Sequence, residues 1–187
     1  MRGMESFSPC GRWWRAAPDE GSRGIRQAGA TPHPSSQPIA ALPGELSLSR
    51  KGRGDVSVSG HASLWGVADL NGDVVAKGAF AVSLMKGGPV RMLHQHETRA
   101  PVGVWDEVVE DERGLFVRGR IMDWSPDARF AQALARAGAM DGLSIGYRAV
   151  RARRDGRLRV LSEVELWEVS LVTFPMLSGA RFGMVGE

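Results

Sequence analysis

The chain has 187 residues, 43% of them apolar, enough for the core of one domain of ordinary size with a tail. Its formal net charge is +3 and arises from arginine, since Lys51, Lys77 and Lys86 are the only lysines; a basic balance this modest permits nucleic-acid binding without demanding it. Cys10 is the single cysteine, which excludes an internal disulfide and a cysteine metal cluster and suits a reducing compartment. No apolar run approaches the roughly 20 residues of a membrane span.

Residues 1–54 differ from the rest. They hold Pro9, Pro18, Pro32, Pro34, Pro38 and Pro43 among many glycines, serines and arginines, with no lasting hydrophobic period. Such a segment buries too little apolar surface to offset its ordering entropy, so a disordered or loosely attached tail is expected. Its start carries arginines and the Trp13-Trp14 pair but not the apolar stretch of a signal peptide. The folded domain is expected over residues 55–182, followed by a short C-terminal tail at 183–187.

Within that domain, Val56, Val58 and Gly60 alternate with Ser57, Ser59 and His61, a strand pattern. Asp69-Leu70-Asn71-Gly72-Asp73 is a turn whose Asn-Gly pair signals a hairpin. A short helix is expected over 78–85, ended by Gly87-Gly88-Pro89. Strands follow at 90–94, 102–109 and 115–122, a meander. The clearest helix starts at Ser125 as N-cap with Pro126 behind it, and Phe130, Ala133, Leu134 and Ala137 share one apolar face. A strand at 143–150 turns at Asp155-Gly156 into a long one at 158–174, stopped by Pro175. The sum is a mainly β protein with helices (α+β), a small closed antiparallel β-barrel of about seven strands flanked by helices.

Three segments offer the parts of a serine hydrolase. Ser144 sits in Asp141-Gly142-Leu143-Ser144-Ile145-Gly146-Tyr147, where two glycines leave room for another backbone or a substrate. A serine on a strand is more often a plain strand residue. His94 and His96 are two apart and would point to opposite faces of a regular strand. With Glu97 they also suggest a metal cluster, but no further ligand stands at a familiar spacing. Glu168 has the parity of Leu158, Val160, Val164, Leu166 and Val172, so it is expected on a largely apolar face, where a carboxylate needs a partner. Glu163 and Glu165 have the opposite parity. Arg148, Arg151, Arg153, Arg154, Arg157 and Arg159 make a basic hairpin, read first as a soluble strand pair protected from edge pairing and second as a dock for an acidic partner.

Four stretches stand in register: Gly72-Asp73-Val74-Val75 with Gly78-Ala79-Phe80; Gln95-His96-Glu97 with Pro101-Val102-Gly103-Val104-Trp105; Gly138-Ala139-Met140-Asp141-Gly142-Leu143-Ser144-Ile145-Gly146-Tyr147; and Leu166-Trp167-Glu168-Val169-Ser170-Leu171-Val172-Thr173-Phe174-Pro175. In this order the chain, over roughly residues 56–182, resembles the prohead maturation proteases of tailed bacteriophages and gene transfer agents. The resemblance implies a fold related to the herpesvirus assemblin proteases, a serine endopeptidase activity, and cleavage of the scaffolding part of the major capsid protein and of the protease itself. It implies work inside the immature capsid in the cytoplasm of the bacterial host, with room for self-association and no membrane, metal or cofactor.

By the same resemblance His96 is the base, Ser144 the nucleophile and Glu168 the acid, with Glu165 as runner-up; His94 is a bystander. Herpesvirus relatives use a second histidine in the last motif, and this chain has none there. His96 would take the Ser144 proton and return it to the leaving amine, while Glu168 orients the imidazole and backbone N–H groups stabilise the oxyanion. The alternative is a non-catalytic capsid-assembly or scaffold-binding module on the same barrel. A nucleic-acid binder is disfavoured, because no basic stripe interleaved with aromatics crosses the folded region.

Overall fold

The computed structural model describes residues 54–186; the tail expected at 1–54, Trp13 and Trp14 included, lies almost wholly outside the described residues. The elements are β1 (Val56–Leu64), β2 (Asp73–Val75), α1 (Ala81–Met85), β3 (Arg91–His94), β4 (Pro101–Glu110), β5 (Gly114–Ile121), α2 (Pro126–Arg136), β6 (Gly142–Asp155), β7 (Leu158–Val172) and β8 (Phe182–Met184). The eight strands form one sheet in the order β2-β7-β3-β4-β5-β1-β8, with β6 on the other side of β7.

Two features depart from the antiparallel closed barrel. The sheet curls into a half-barrel and does not close. β8 is three residues long and pairs β1. Beside it only one isolated bridge, Gly142–Arg181, with the flanking bonds Leu143 N–H to Ala180 O and Phe182 N–H to Asp141 O, reaches β6. A closing ladder would need a longer paired run. The sheet is also mixed: β2 and β3 both run parallel to β7. The Asn71-Gly72 turn forms, with Asp69 Oδ1 accepting from the N–H groups of Asn71 and Asp73, but it leads β2 onto β7 and leaves only the bridge Ala68–Val74 of a hairpin. The strong hairpins are β4–β5 and β6–β7, the latter turning at Gly156 with φ 61°.

Strand β7 is the axis of the fold. Its first half takes β2, its second half takes β3, and β6 runs along its other edge. Fifteen residues suffice for all three because each partner uses a different stretch or edge. The ladder to β6 slips between Gly146 and Tyr147, where Gly146 faces Glu168 and Tyr147 faces Leu166, so Trp167 is an extra residue on β7. Around this bulge the Leu166 N–H goes to Ser83 Oγ of α1, and the Val164 N–H to the Ala79 carbonyl. The short helix and the residues before it therefore pair backbone donors on the edge of β7 left open between β2 and β3.

The core gathers Phe80, Met92, Leu115, Ile121, Met140, Leu143, Leu161 and Leu171, all fully buried. Helix α2 begins as expected, with Ser125 Oγ accepting from the Ala128 N–H at 3.1 Å. Its buried face is Ala128, Ala131, Gln132 and Ala135, not the Phe130, Ala133, Leu134, Ala137 face. Alanines let the helix lie close to the sheet, and Gln132 is tolerated there because its amide donates to the carbonyls of Gly54 and Ile121 at 2.9 Å each. Among the described residues, no helix is long and apolar enough to cross a membrane.

The basic hairpin is largely neutralised by its own acids: Arg148 pairs with Glu165, Arg151 with Glu163 and Arg153 with Asp155. Arg159 grips the buried Asp73 through two nitrogens, and Asp73 also accepts from the Tyr147 hydroxyl at 2.8 Å. Burial alone would raise the Asp73 pKa, but the Arg159 and Tyr147 hydrogen bonds outweigh it and hold the carboxyl below its usual range. A depressed acid contributes stability above its unfolded pKa of about 3.9, and that contribution is lost as pH falls. Asp73→Asn should therefore lower stability at pH 7 by about 1–2 kcal/mol, and the gap to wild type should close as pH drops below about 4. Urea midpoints of both proteins between pH 7 and pH 3 measure this; a gap that stays constant would show that Asp73 stabilises the sheet without its charge.

Candidate active site

The site is assembled on the far end of β7. Strand β3 ends at His94, and the chain then takes two successive left-handed residues, Gln95 with φ 52° and His96 with φ 61°. Side chains other than glycine's pay for this conformation, of order 1 kcal/mol each. Three hydrogen bonds hold the turn: Gln95 N–H to the Leu171 carbonyl at 3.0 Å, Gln95 Nε2 to Thr173 Oγ1 at 2.8 Å, and His96 N–H to Ser170 Oγ at 3.2 Å. All three acceptors belong to β7 or the residue just after it. The result turns the His96 ring back over β7, where Nδ1 meets Glu168 Oε1 at 2.6 Å.

Glu168 is 12% exposed and His96 31% exposed, so the pair is partly shielded yet open on one side. The second Glu168 oxygen, Oε2, accepts from the Ser170 hydroxyl at 2.5 Å. On β6, Ser144 lies directly across from Ser170, and Gly146 across from Glu168. Alternation puts Ser144 and Gly146 on the same face of β6, so the nucleophile candidate shares its side of the sheet with the carboxylate. Ser144 is 6% exposed. Sheet register joins it to the group: β6 and β3 flank β7, so their backbones lie roughly 10 Å apart. A serine and an imidazole reaching in from the two sides can meet over the middle strand. The Nδ1 contact leaves the opposite ring nitrogen, Nε2, as the atom available on that side.

Gly146 allows this arrangement. A Cβ there would stand 2.1 Å from Glu168 Oε1 and 2.7 Å from its carboxyl carbon. The carboxylate thus lies flat over the glycine on the neighbouring strand.

The other sequence candidates separate. His94 faces α2, its ring edge-on to Phe130 with centroids 6.0 Å apart, and its Nε2 is buried without a partner. Burial lowers its pKa, with Asp127 opposing. Glu165 lies about 10 Å further back along β7 and is bound to Arg148, whose hydrogen bond holds its carboxyl below the usual range. The parity that put Glu168 with Leu166 and opposite Glu165 fails at the bulge: Leu166 belongs to the core with Val169 and Leu171, while Glu168 turns away from it to His96. Ser170 is the residue that sequence reasoning passed over. It is fully buried and touches both His96 and Glu168, yet a serine in an apolar strand carries no distinguishing pattern; only its place two residues from Glu168 hinted at a shared face. Among the described residues, no group of three or more His, Cys, Asp or Glu side chains is arranged to hold a metal ion.

A family model described as caudovirus prohead serine protease matches residues 45–185. The prohead protease of Enterobacteria phage HK97 is 34% identical over 123 residues, covering 62% of this chain and 54% of that protein, so the chain spans about half the length of this curated relative. Among solved structures, the capsid assembly protease of bacteriophage T4 is similar with a TM-score of 0.53 at 14% identity, over 62% of this chain and 80% of the other. The protease of Kaposi's sarcoma herpesvirus, solved with a hexapeptide phosphonate inhibitor, gives 0.52 at 16% identity, over 71% and 66%. At such identities the likeness is one of fold.

Gly146→Ala should displace the Glu168 carboxylate from His96 while leaving the core untouched. NMR of the His96 ring should show its resonances moved from their wild-type positions, with a melting temperature within a few degrees of wild type. Unmoved resonances in a folded Gly146→Ala protein would mean that the carboxylate keeps its seat beside the ring.

Proposed function

Since this chain belongs to the caudovirus prohead serine protease family, we propose that it is a serine endopeptidase of capsid maturation, with Ser144 as nucleophile, His96 as general base and Glu168 as the acid that orients it. The observation that carries the reading is the 2.6 Å contact between His96 Nδ1 and Glu168 Oε1, with Ser144 brought to the same face one strand away. An imidazole bonded through Nδ1 to a carboxylate keeps its proton on that nitrogen and presents Nε2 as acceptor, the tautomer a serine hydroxyl requires. As Ser144 Oγ attacks the scissile carbonyl, His96 Nε2 takes its proton, and Glu168 stabilises the imidazolium that forms. The same proton then goes to the leaving amine, and water repeats the cycle on the acyl-enzyme.

The substrate we assign is the major capsid protein or its scaffold segment, with the protease itself as a second target. The place of action is the interior of the immature capsid in the host cytoplasm. The support is family membership together with the named relatives, a prohead protease and a capsid assembly protease. The neutralised arginine hairpin is in keeping with a protein substrate over a nucleic acid.

Co-expression with the capsid protein, read by intact mass, tests the proposal. Ser144→Ala removes one hydroxyl and should abolish both cleavages with the fold intact, a loss of several orders of magnitude. A pure, folded Ser144→Ala protein that still cleaves would overturn the nucleophile, and wild-type protein that never cleaves would favour a non-catalytic assembly module. For the acid, Glu168→Gln should lower turnover by roughly a thousandfold or more, because a neutral amide supports the imidazolium poorly and can select the wrong tautomer. Glu165→Gln should change it less than about tenfold. The reverse ranking in single-mutant kinetics would reassign the acid.

A further inference from the structure

We infer that Ser170 is a positioning residue of this site, holding the base and the acid in one geometry. The inference rests on the reading of Ser144, His96 and Glu168 proposed above. Three observations carry it.

First, Ser170 is completely buried, so its hydroxyl must be satisfied by protein groups. The partners it takes are both parts of the site: it donates to Glu168 Oε2 at 2.5 Å and accepts from the His96 N–H at 3.2 Å. Second, the two bonds fix different degrees of freedom. Glu168 Oε1 is held by the ring and Oε2 by Ser170, so the carboxylate plane cannot swing. The bond from the His96 N–H secures a residue in the left-handed region, where its backbone would otherwise relax. Third, Ser170 is the direct cross-strand partner of Ser144, so the two side chains are neighbours on one face. A hydroxyl has one proton to donate. With that proton on Glu168 and a lone pair occupied by His96 N–H, Ser170 has no hydrogen to offer Ser144. Ser170 therefore puts no hydrogen on the Ser144 oxygen, the atom that must attack.

A residue that only filled space would affect stability alone. One that acts through Glu168 must lose its effect when Glu168 is already disabled. The rate of labelling by a fluorophosphonate probe reports the nucleophilicity of Ser144 without any knowledge of the cleavage sequence. Ser170→Ala should label about 10- to 100-fold more slowly than wild type, the size of losing a hydrogen bond to a charged group. In a Glu168→Gln background the same change should cost less than it does in wild type, since the bond to a charged carboxylate is gone and only the one from the His96 N–H and a weaker one to the amide remain. Ser170→Thr and Ser170→Val, matched in volume, form the control for packing: threonine should label at least tenfold faster than valine.

Labelling of Ser170→Ala within threefold of wild type, while Glu168→Gln is crippled, would overturn the inference and leave the proposed triad standing. Losses that add fully in the double mutant, or equal rates for the threonine and valine variants, would overturn it as well. If Glu168→Gln itself labels normally, the reading of the acid falls and this inference falls with it. Should the alanine variant unfold, the threonine–valine comparison decides the matter alone.

Discussion

The site depends on the one-residue bulge in β7 opposite Gly146 and Tyr147. Upstream of it, Val164 and Leu166 face the core; downstream, Val169 and Leu171 do so, and the intervening shift turns Glu168 and Ser170 to the other side. Without the extra Trp167, strict alternation would send Glu168 inward among apolar side chains, where an ionised carboxylate costs several kcal/mol. The bulge therefore reconciles a continuous core with a pair of shielded polar residues on the opposite face of a single strand. Beside it, on the edge left open between β2 and β3, Ser83 of α1 takes the Leu166 N–H. A five-residue helix with no buried residue of its own thus has a structural task, which is to pair a backbone donor at the point where the sheet changes face.

His96, the proposed base, is delivered by a different device. β3 runs parallel to β7, so both strands finish at the same end, and the left-handed pair Gln95-His96 folds the chain back over its neighbour. The strain of two such residues, about 1 kcal/mol each, is offset by three hydrogen bonds whose acceptors lie on or just past β7. The same strand therefore supplies the Glu168 carboxylate, the anchor for His96 and the register that sets Ser144. Relative positions along one strand vary little, which is how a site on a small half-barrel keeps three side chains in a fixed relation.

Packing on the opposite face works by small residues. Ala128, Ala131 and Ala135 let α2 approach the sheet, and Gln132 closes two backbone carbonyls at its edge. Phe130 stays half-exposed and covers His94, which explains why two histidines only two residues apart have separate surroundings. Away from the site, Asp73, Arg159 and Tyr147 bind β2, β7 and β6 together through one carboxylate. That node holds the beginning of β7 much as the site holds its end.

The sequence alone determined a good deal. Alternation and turn residues placed the strands and the β6–β7 hairpin, Ser125-Pro126 marked the start of α2, and local motifs singled out Ser144, His96 and Glu168, because each of these signals lies within a few neighbouring residues. What it did not determine depends on partners distant in the chain. The parallel pairing of β2 and β3 with β7, and the failure of the barrel to close, follow from which edges meet, and no local period encodes that. The buried face of α2 was misjudged because apolar bulk favoured Phe130, whereas close approach to the sheet selects alanine. The parity of Glu168 was lost at a bulge that shows only in the pairing of β7 with Gly146 and Tyr147 of β6. Ser170 was invisible for the same reason: a serine's chemistry is set by what its single proton can reach, and its partners here are a side chain two residues away and a backbone N–H 74 residues away, brought together by the fold.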